Sequence, residues 1–262
     1  GFPAMVMRYI TADMPRLEQL GLPDTLVDLA RLKRGLILMV GATGSGKSTT
    51  LAAMINYRNE HFSDHIITIE DPIEFLHTNK RSIINQREVG LDTRTYARAL
   101  RGAMRAAPDV ILIGEIRDRE SMEAAISLAG TGHLVLATLH ANNCAETLDR
   151  IINMFPHQQH PQILLDLSQY LKAILAQRLV PGADGRRAAA LEIMINTPHI
   201  SDLIKKGDVS TIKEAIQASG EKGIQSFDQS LVELFKAGRV SLDDALANAD
   251  SRTNLEARIN FG

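Results

Sequence analysis

Leu36-Ile37-Leu38-Met39-Val40-Gly41-Ala42-Thr43-Gly44-Ser45-Gly46-Lys47-Ser48 is the stretch on which the fold of this chain turns. Its apolar half, Leu36 to Val40, shows no alternation and abuts a Gly-rich loop, which predicts a parallel strand buried on both faces. The other half fits G-x-x-x-x-G-K-[ST]. Glycines at these positions let backbone N–H groups turn inward around phosphate oxygens. Lys47 places a cation on the β- and γ-phosphates, and the Ser48 hydroxyl can ligate Mg²⁺. The helix expected over 48–56 points its positive end at the anion. Gly41, Thr43, Gly44, Ser45, Gly46, Lys47, Ser48 and Thr49 are therefore the expected nucleotide-binding residues. The rival reading is a Gly-rich turn with a chance lysine, and the strand before and helix after speak against it.

The same pattern repeats outward from this loop. Short apolar runs at 66–69, 110–113 and 134–138 read as strands. Helical spacing marks 95–106, 119–129, 147–154 and 162–178, the last through Ile163, Leu167, Leu171, Ile174 and Leu175. Strands alternating with helices predict an α/β fold with a mostly parallel sheet and helices on both faces. Before the loop, 3–10 reads as a strand, Leu17 to Leu20 as a short helix, and Pro23-Asp24 as the start of a helix over 25–33. Pro181-Gly182-Ala183-Asp184-Gly185 is the strongest turn signal and precedes a last strand over 188–195. Three regions follow: residues 1–22 as a leading segment and linker, 23–197 as the α/β core, and 198–262 as a helical C-terminal region.

Composition narrows the function classes. Among 262 residues, 29 basic side chains face 31 acidic ones, a net charge of -2 that gives a nucleic-acid binder no support. Aromatics are 4% with no Trp, which disfavours base stacking as a main activity. The single Cys144 excludes an internal disulfide and a tetracysteine metal site. No apolar run approaches the roughly 20 residues that cross a bilayer, and no signal peptide is visible at the start. The expectation is a cytosolic protein.

Hydrolysis of a nucleotide needs a metal helper and a group to orient water as well as a phosphate loop. The strand over 110–113 ends in Gly114-Glu115, so Glu115 falls at the sheet edge where ligands of open α/β sheets bind. Two readings stand for it: polarising the attacking water, or pairing with Arg117 or Arg119. The strand over 66–69 ends in Glu70-Asp71-Pro72-Ile73-Glu74 on the same edge. Glu70 is the choice for a metal or water contact and Asp71 for a turn residue, while Glu74 stays open. Carboxylates gathered there need Mg²⁺ or arginine to neutralise them. His133 and His140 bracket one strand and lie roughly 20 Å apart at about 3.3 Å per residue, so both cannot touch one phosphate. His140 is on the loop's side. Arg94, Arg98, Arg101 and Arg105 share a helical face, which is either solvated or a subunit interface supplying charge to a neighbour's phosphates.

Four boxes occur in order: Gly41 to Thr49, Ile67 to Phe75, Gly114 to Asp118, and Thr131-Gly132-His133 to Leu139-His140. Together they resemble the secretion-superfamily ATPases, and within them the type IV pilus retraction motors of the PilT/PilU group. Asn85 to Val89 and Glu192-Ile193-Met194 strengthen that resemblance. His199 to Ile204 and the tail Asn254 to Phe261 are more similar to the PilU side. The resemblance implies a RecA-like core in a ring hexamer, ATP with Mg²⁺ as cofactors, Glu115 as the catalytic glutamate, Glu70 in the acidic box, and His140 and Arg8 reaching the nucleotide. Implied partners are further copies of the chain, a PilT-like motor and a pilus platform protein at the inner membrane, with no nucleic acid. It also implies a PAS-like domain before residue 1, with residues 1–22 as its remnant and linker. Assembly and type II secretion ATPases of the same superfamily usually carry four cysteines that one Cys144 cannot supply. A DNA-translocating ring lacks the basic excess, and a scaffold that binds ATP without turnover sits poorly with Lys47, Ser48 and Glu115.

Overall fold

The computed structural model describes residues 2–5 and 13–261. In chain order these form α1 (Leu17–Leu20), α2 (Thr25–Ala30), β1 (Gly35–Val40), α3 (Lys47–His61), β2 (His65–Glu70), β3 (Ile83–Glu88), α4 (Tyr96–Ala103), β4 (Val110–Ile113), α5 (Arg119–Gly130), β5 (Leu134–Leu139), α6 (Cys144–Asn153), α7 (His160–Tyr170), β6 (Leu171–Pro181) and β7 (Arg187–Ile195). Helices α8 (Pro198–Lys206), α9 (Ile212–Ala218), α10 (Phe227–Lys236), α11 (Leu242–Ala247) and α12 (Arg252–Phe261) follow. The strands make one seven-stranded sheet in the order β3-β2-β4-β5-β1-β6-β7. All neighbours are parallel except the β6–β7 hairpin. The α/β class with a mostly parallel sheet is therefore as the sequence indicates.

Why β1 lacks alternation is visible in its packing. Leu36, Leu38 and Val40 face one apolar layer with α4 to α7 and the C-terminal helices. Ile37 and Met39 face the other, with α1 to α3. Both faces are covered, so every position of the strand must be apolar.

Two elements depart from the sequence reading. The helix expected over 162–178 stops at Tyr170, and Leu171 to Pro181 is a strand between β1 and β7. Leu171, Ile174 and Ala176 enter one apolar layer, Ala173 and Leu175 the other. A strand buried on both faces carries no alternation, and its apolar run continues the helical spacing of Ile163 and Leu167 without a break. The second departure is β3, which the apolar runs do not announce. It is the polar edge strand of the sheet, paired among the described residues with β2 alone. The strand expected over 3–10 falls largely outside the described residues.

The C-terminal helices cap the other edge. Ile193 of β7 exchanges two backbone hydrogen bonds with Gln225, and Leu191 N–H donates to Ser230 Oγ at 3.1 Å. Covering an edge strand in this way satisfies main-chain groups that otherwise template aggregation. Phe227 is 1% exposed, and the Arg178 guanidinium of β6 lies 3.8 Å from its ring centroid. Phe227→Ala removes the anchor, and a loss of about 3–5 kcal/mol in urea unfolding is expected for a large buried aromatic. A loss below about 1 kcal/mol would show that these helices do not depend on this contact.

Candidate active site

Parallel strands all end on one side of the sheet, and β1, β2, β4 and β5 bring their C-terminal ends together there. A cavity of about 330 Å³ opens at these ends, lined by Thr43, Gly44, Lys47 and Ser48 from the loop and by Glu70, Glu74, Glu115 and His140 from the neighbouring strand ends. Ligands of open α/β sheets bind in such crevices.

The loop after β1 needs positive φ at Gly44 (78°) and Gly46 (87°), where a side chain would be strained. Lys47 opens α3 and is 9% exposed. Its ammonium donates to the carbonyls of Gly41 (2.8 Å) and Ala42 (2.9 Å). Burial pushes its pKa down, and the nearby charges of Glu115 and Glu74 oppose that shift. Among the described residues, Ser45 Oγ is buried with no hydrogen-bond partner. Gln177 braces the loop from β6: its Nε2 donates to Ser45 O and its Oε1 accepts from Thr50 Oγ1, both at 2.8 Å.

Opposite the loop stands a chain of charges. Glu115 Oε2 accepts from Arg117 Nε at 2.6 Å, and its Oε1 lies 2.9 Å from His140 Nε2. Arg117 also reaches Asp71 at 3.3 Å. Asp71 precedes Pro72 in a cis peptide. The pairing of Glu115 with Arg117 and its place at the cavity therefore occur together. Arg150 of α6 holds the His140 carbonyl at 2.5 Å, which fixes the backbone that presents the ring. Glu70 is held by Thr68 Oγ1 at 2.7 Å and Gln86 Nε2 at 3.2 Å. Burial raises its pKa, and these hydrogen bonds oppose the rise.

Gly114 directly follows β4 and precedes Glu115. A Cβ there meets Glu70 Cα and Ile69 O at 3.1 Å and Tyr96 Oη at 3.2 Å. A side chain there would need β2 or the Tyr96 hydroxyl to give by a few tenths of an ångström. Thr138 of β5 bonds the Gly114 carbonyl from the other side. Burial raises the pKa of Tyr96, so it faces the carboxylates as a neutral phenol.

Other expected residues lie elsewhere. His133 sits at the far end of β5, with Nδ1 3.1 Å from Leu128 O. Of the arginine stripe, only Arg98 and Arg101 lie on α4, and Arg101 pairs with Glu120 at 2.8 Å. Arg94 and Arg105 fall outside that helix, because it spans only Tyr96 to Ala103. Arg8 is outside the described residues. Sequence reasoning missed Gln177, Tyr96 and Thr138 altogether. Gln177, a polar residue in the apolar run after Leu171, was the one available signal.

His77 lies behind the cavity, with burial pushing its pKa down to about 4. It is thus neutral in the fold and charged in the unfolded chain below about pH 6.5. Its contribution to stability is present above that value and lost as pH falls towards 4, by at most about 1.4 kcal/mol per pH unit. His77→Gln should show a shallower loss between pH 6.5 and 4 in urea titrations. Parallel losses in both proteins would contradict the assignment.

These elements define a P-loop ATPase with a RecA-like core. The family model described as type II/IV secretion system protein matches residues 3–193. The type IV pilus ATPase PilU of Pseudomonas aeruginosa is 53% identical over 98% of this chain and 68% of its own length. The type IV pilus retraction ATPase PilT of the same organism is 43% identical over 93% of this chain and 71% of its own. A crystal structure of the pilus retraction motor PilT with bound ADP superposes with TM-score 0.88 at 45% identity, covering 95% of this chain and 71% of that one. The chain belongs to the type II/IV secretion system protein family, in its PilT/PilU group of pilus ATPases.

Proposed function

We propose that this chain hydrolyses Mg-ATP within a ring of six copies and that the rearrangement powers pilus retraction, as a PilU-like accessory beside a PilT-like motor. The observation that carries the chemistry is the shared cavity of the phosphate loop and Glu115. Phosphoryl transfer is catalysed mainly by positioning and charge. In this reading Lys47 leaves the Gly41 and Ala42 carbonyls for the phosphates and neutralises charge that develops there. Glu115 orients the attacking water, with His140 holding the second carboxylate oxygen. Arg117 is a competitor for Glu115, so its partner Asp71 helps to set when the glutamate is released.

Magnesium fits the donors present. Mg²⁺ takes one or two protein oxygens and otherwise phosphates and water, and the Ser48 hydroxyl and Glu70 carboxylate line the same cavity. Bound there, the ion would offset the negative charge of the phosphates.

No helix among the described residues is long and apolar enough to cross a membrane. With the pilus functions named for the relatives, this supports a place on the cytoplasmic side, docked to a platform protein in the inner membrane. The Arg98 and Arg101 face is the surface proposed to meet the neighbouring copy. The balanced charge supports a protein partner and not nucleic acid.

Glu115→Gln removes the carboxylate with little change in shape. ATP turnover should fall by about 10²–10⁴-fold, the usual contribution of a positioned acid or base, while ATP binding persists. Turnover at the wild-type rate in that variant would remove Glu115 from the mechanism.

A further inference from the structure

Glu192 is 4% exposed and stands within β7. Its neighbours on the same face, Ala188, Ala190 and Met194, enter the apolar layer that α6 joins through Leu148 and Ile151. Side chains on one face of a strand recur at every second position, so this pattern calls for an apolar residue at 192. A carboxyl in such a place costs free energy unless it is hydrogen-bonded. Leucine would suit the layer, and the chemistry at the cavity makes no direct use of this acid.

What Glu192 meets is the start of α6. Asn143 is the N-cap, and its side chain accepts from Glu146 N–H at 2.8 Å. Cys144 is the first helical residue, where the N–H has no acceptor inside the helix. That N–H donates to Glu192 Oε1 at 3.2 Å. Burial raises the pKa of the carboxyl, and the bonds from the Cys144 thiol and N–H oppose the rise.

Helix α6 also carries the segment that presents His140. Leu139 ends β5 and Cys144 begins α6, so residues 140–143 span the gap. Arg150 ties the His140 carbonyl to the helix at 2.5 Å, and Glu146 accepts from Asn142 N–H and Nδ2 at 3.0 and 2.9 Å. The segment therefore moves with the helix. The helix packs on β6 and β7, and Glu192 is the polar tether from its first residue to β7. At the start of the segment His140 Nε2 lies 2.9 Å from Glu115 Oε1.

We propose that Glu192 is a positioning residue for ATP turnover: it holds the start of α6 against β7 and so fixes the approach of His140 to Glu115. The inference rests on the reading of Glu115 as the group that orients water and of His140 as its support.

Steady-state ATP turnover of the assembled chain tests this on Glu192→Leu, Glu192→Gln, His140→Ala and the Glu192→Leu/His140→Ala double variant, with thermal melting as a control of the fold. Glu192→Leu should lower kcat by about ten- to a hundredfold, the effect of a displacement of about 1 Å, with KM for ATP within about twofold. Glu192→Gln keeps an oxygen for the Cys144 N–H and should retain about half of the wild-type kcat or more. In the His140→Ala background Glu192→Leu should change kcat by less than about twofold, because residues that act as one unit are not additive. A merely structural residue would lower turnover alike in both backgrounds.

Cys144→Pro removes the same contact from the helix side. Proline suits the first helical position, and Asn143 before it is already extended, with φ -155° and ψ 175°. Its kcat should fall as in Glu192→Leu. Wild-type kcat in a folded Glu192→Leu or Cys144→Pro chain, or an equal fall in both backgrounds, would overturn the inference while leaving Glu115 and His140 in place. Unfolding of both variants would overturn it too, by making the contact one of the fold alone. Wild-type turnover in His140→Ala would remove His140 from the mechanism, and this inference with it.

Discussion

The Lys47 ammonium, buried and held by two main-chain carbonyls, is the contact around which the rest of the molecule is arranged. A charge taken out of water must find partners or lose its proton. Here the partners are the carbonyls of Gly41 and Ala42 and the more distant field of Glu115 and Glu74. That balance depends on a loop shape that only glycines at 44 and 46 allow, on a strand ending at Val40, and on Gln177 reaching across from β6. Each of these is secured by apolar burial on both faces of the sheet. The fold therefore holds a cation ready at the sheet edge with weak neutral acceptors that a phosphate can displace.

Facing it is a set of acids that cannot all remain unneutralised. Glu115 and Asp71 share Arg117, Glu115 also meets His140, and Glu70 is half-buried against hydroxyl and amide donors. Three strands contribute these groups, so a shift of β2, β4 or β5 alters the charge balance directly. The glycine at 114 belongs to the same constraint, because the backbone of Glu70 and the phenol of Tyr96 occupy the space a larger residue would need.

Much of this was legible from residue order. The unbroken apolar run at Leu36 to Val40 announced a strand covered on both sides. Strands ending in Glu70 and Glu115 placed those carboxylates at the same edge as Lys47. What escaped has physical reasons. Leu171 to Pro181 is apolar on both faces, and such a strand looks like the continuation of α7 when only spacing is read. The polar edge strand β3 gives no apolar signal at all. Gln177 was lost with the strand that carries it. The role of Arg117 depends on a spatial approach to Asp71, 46 positions away in the chain, that spacing does not encode.

The central claim is that the loop's lysine exchanges main-chain carbonyls for phosphate oxygens. A crystal structure of this chain with Mg²⁺ and a non-hydrolysable ATP analogue tests it most directly. The account predicts Lys47 Nζ within hydrogen-bonding distance of a β- or γ-phosphate oxygen, with the Gly41 and Ala42 contacts broken. Nucleotide bound elsewhere, with Lys47 still on those two carbonyls, would contradict it.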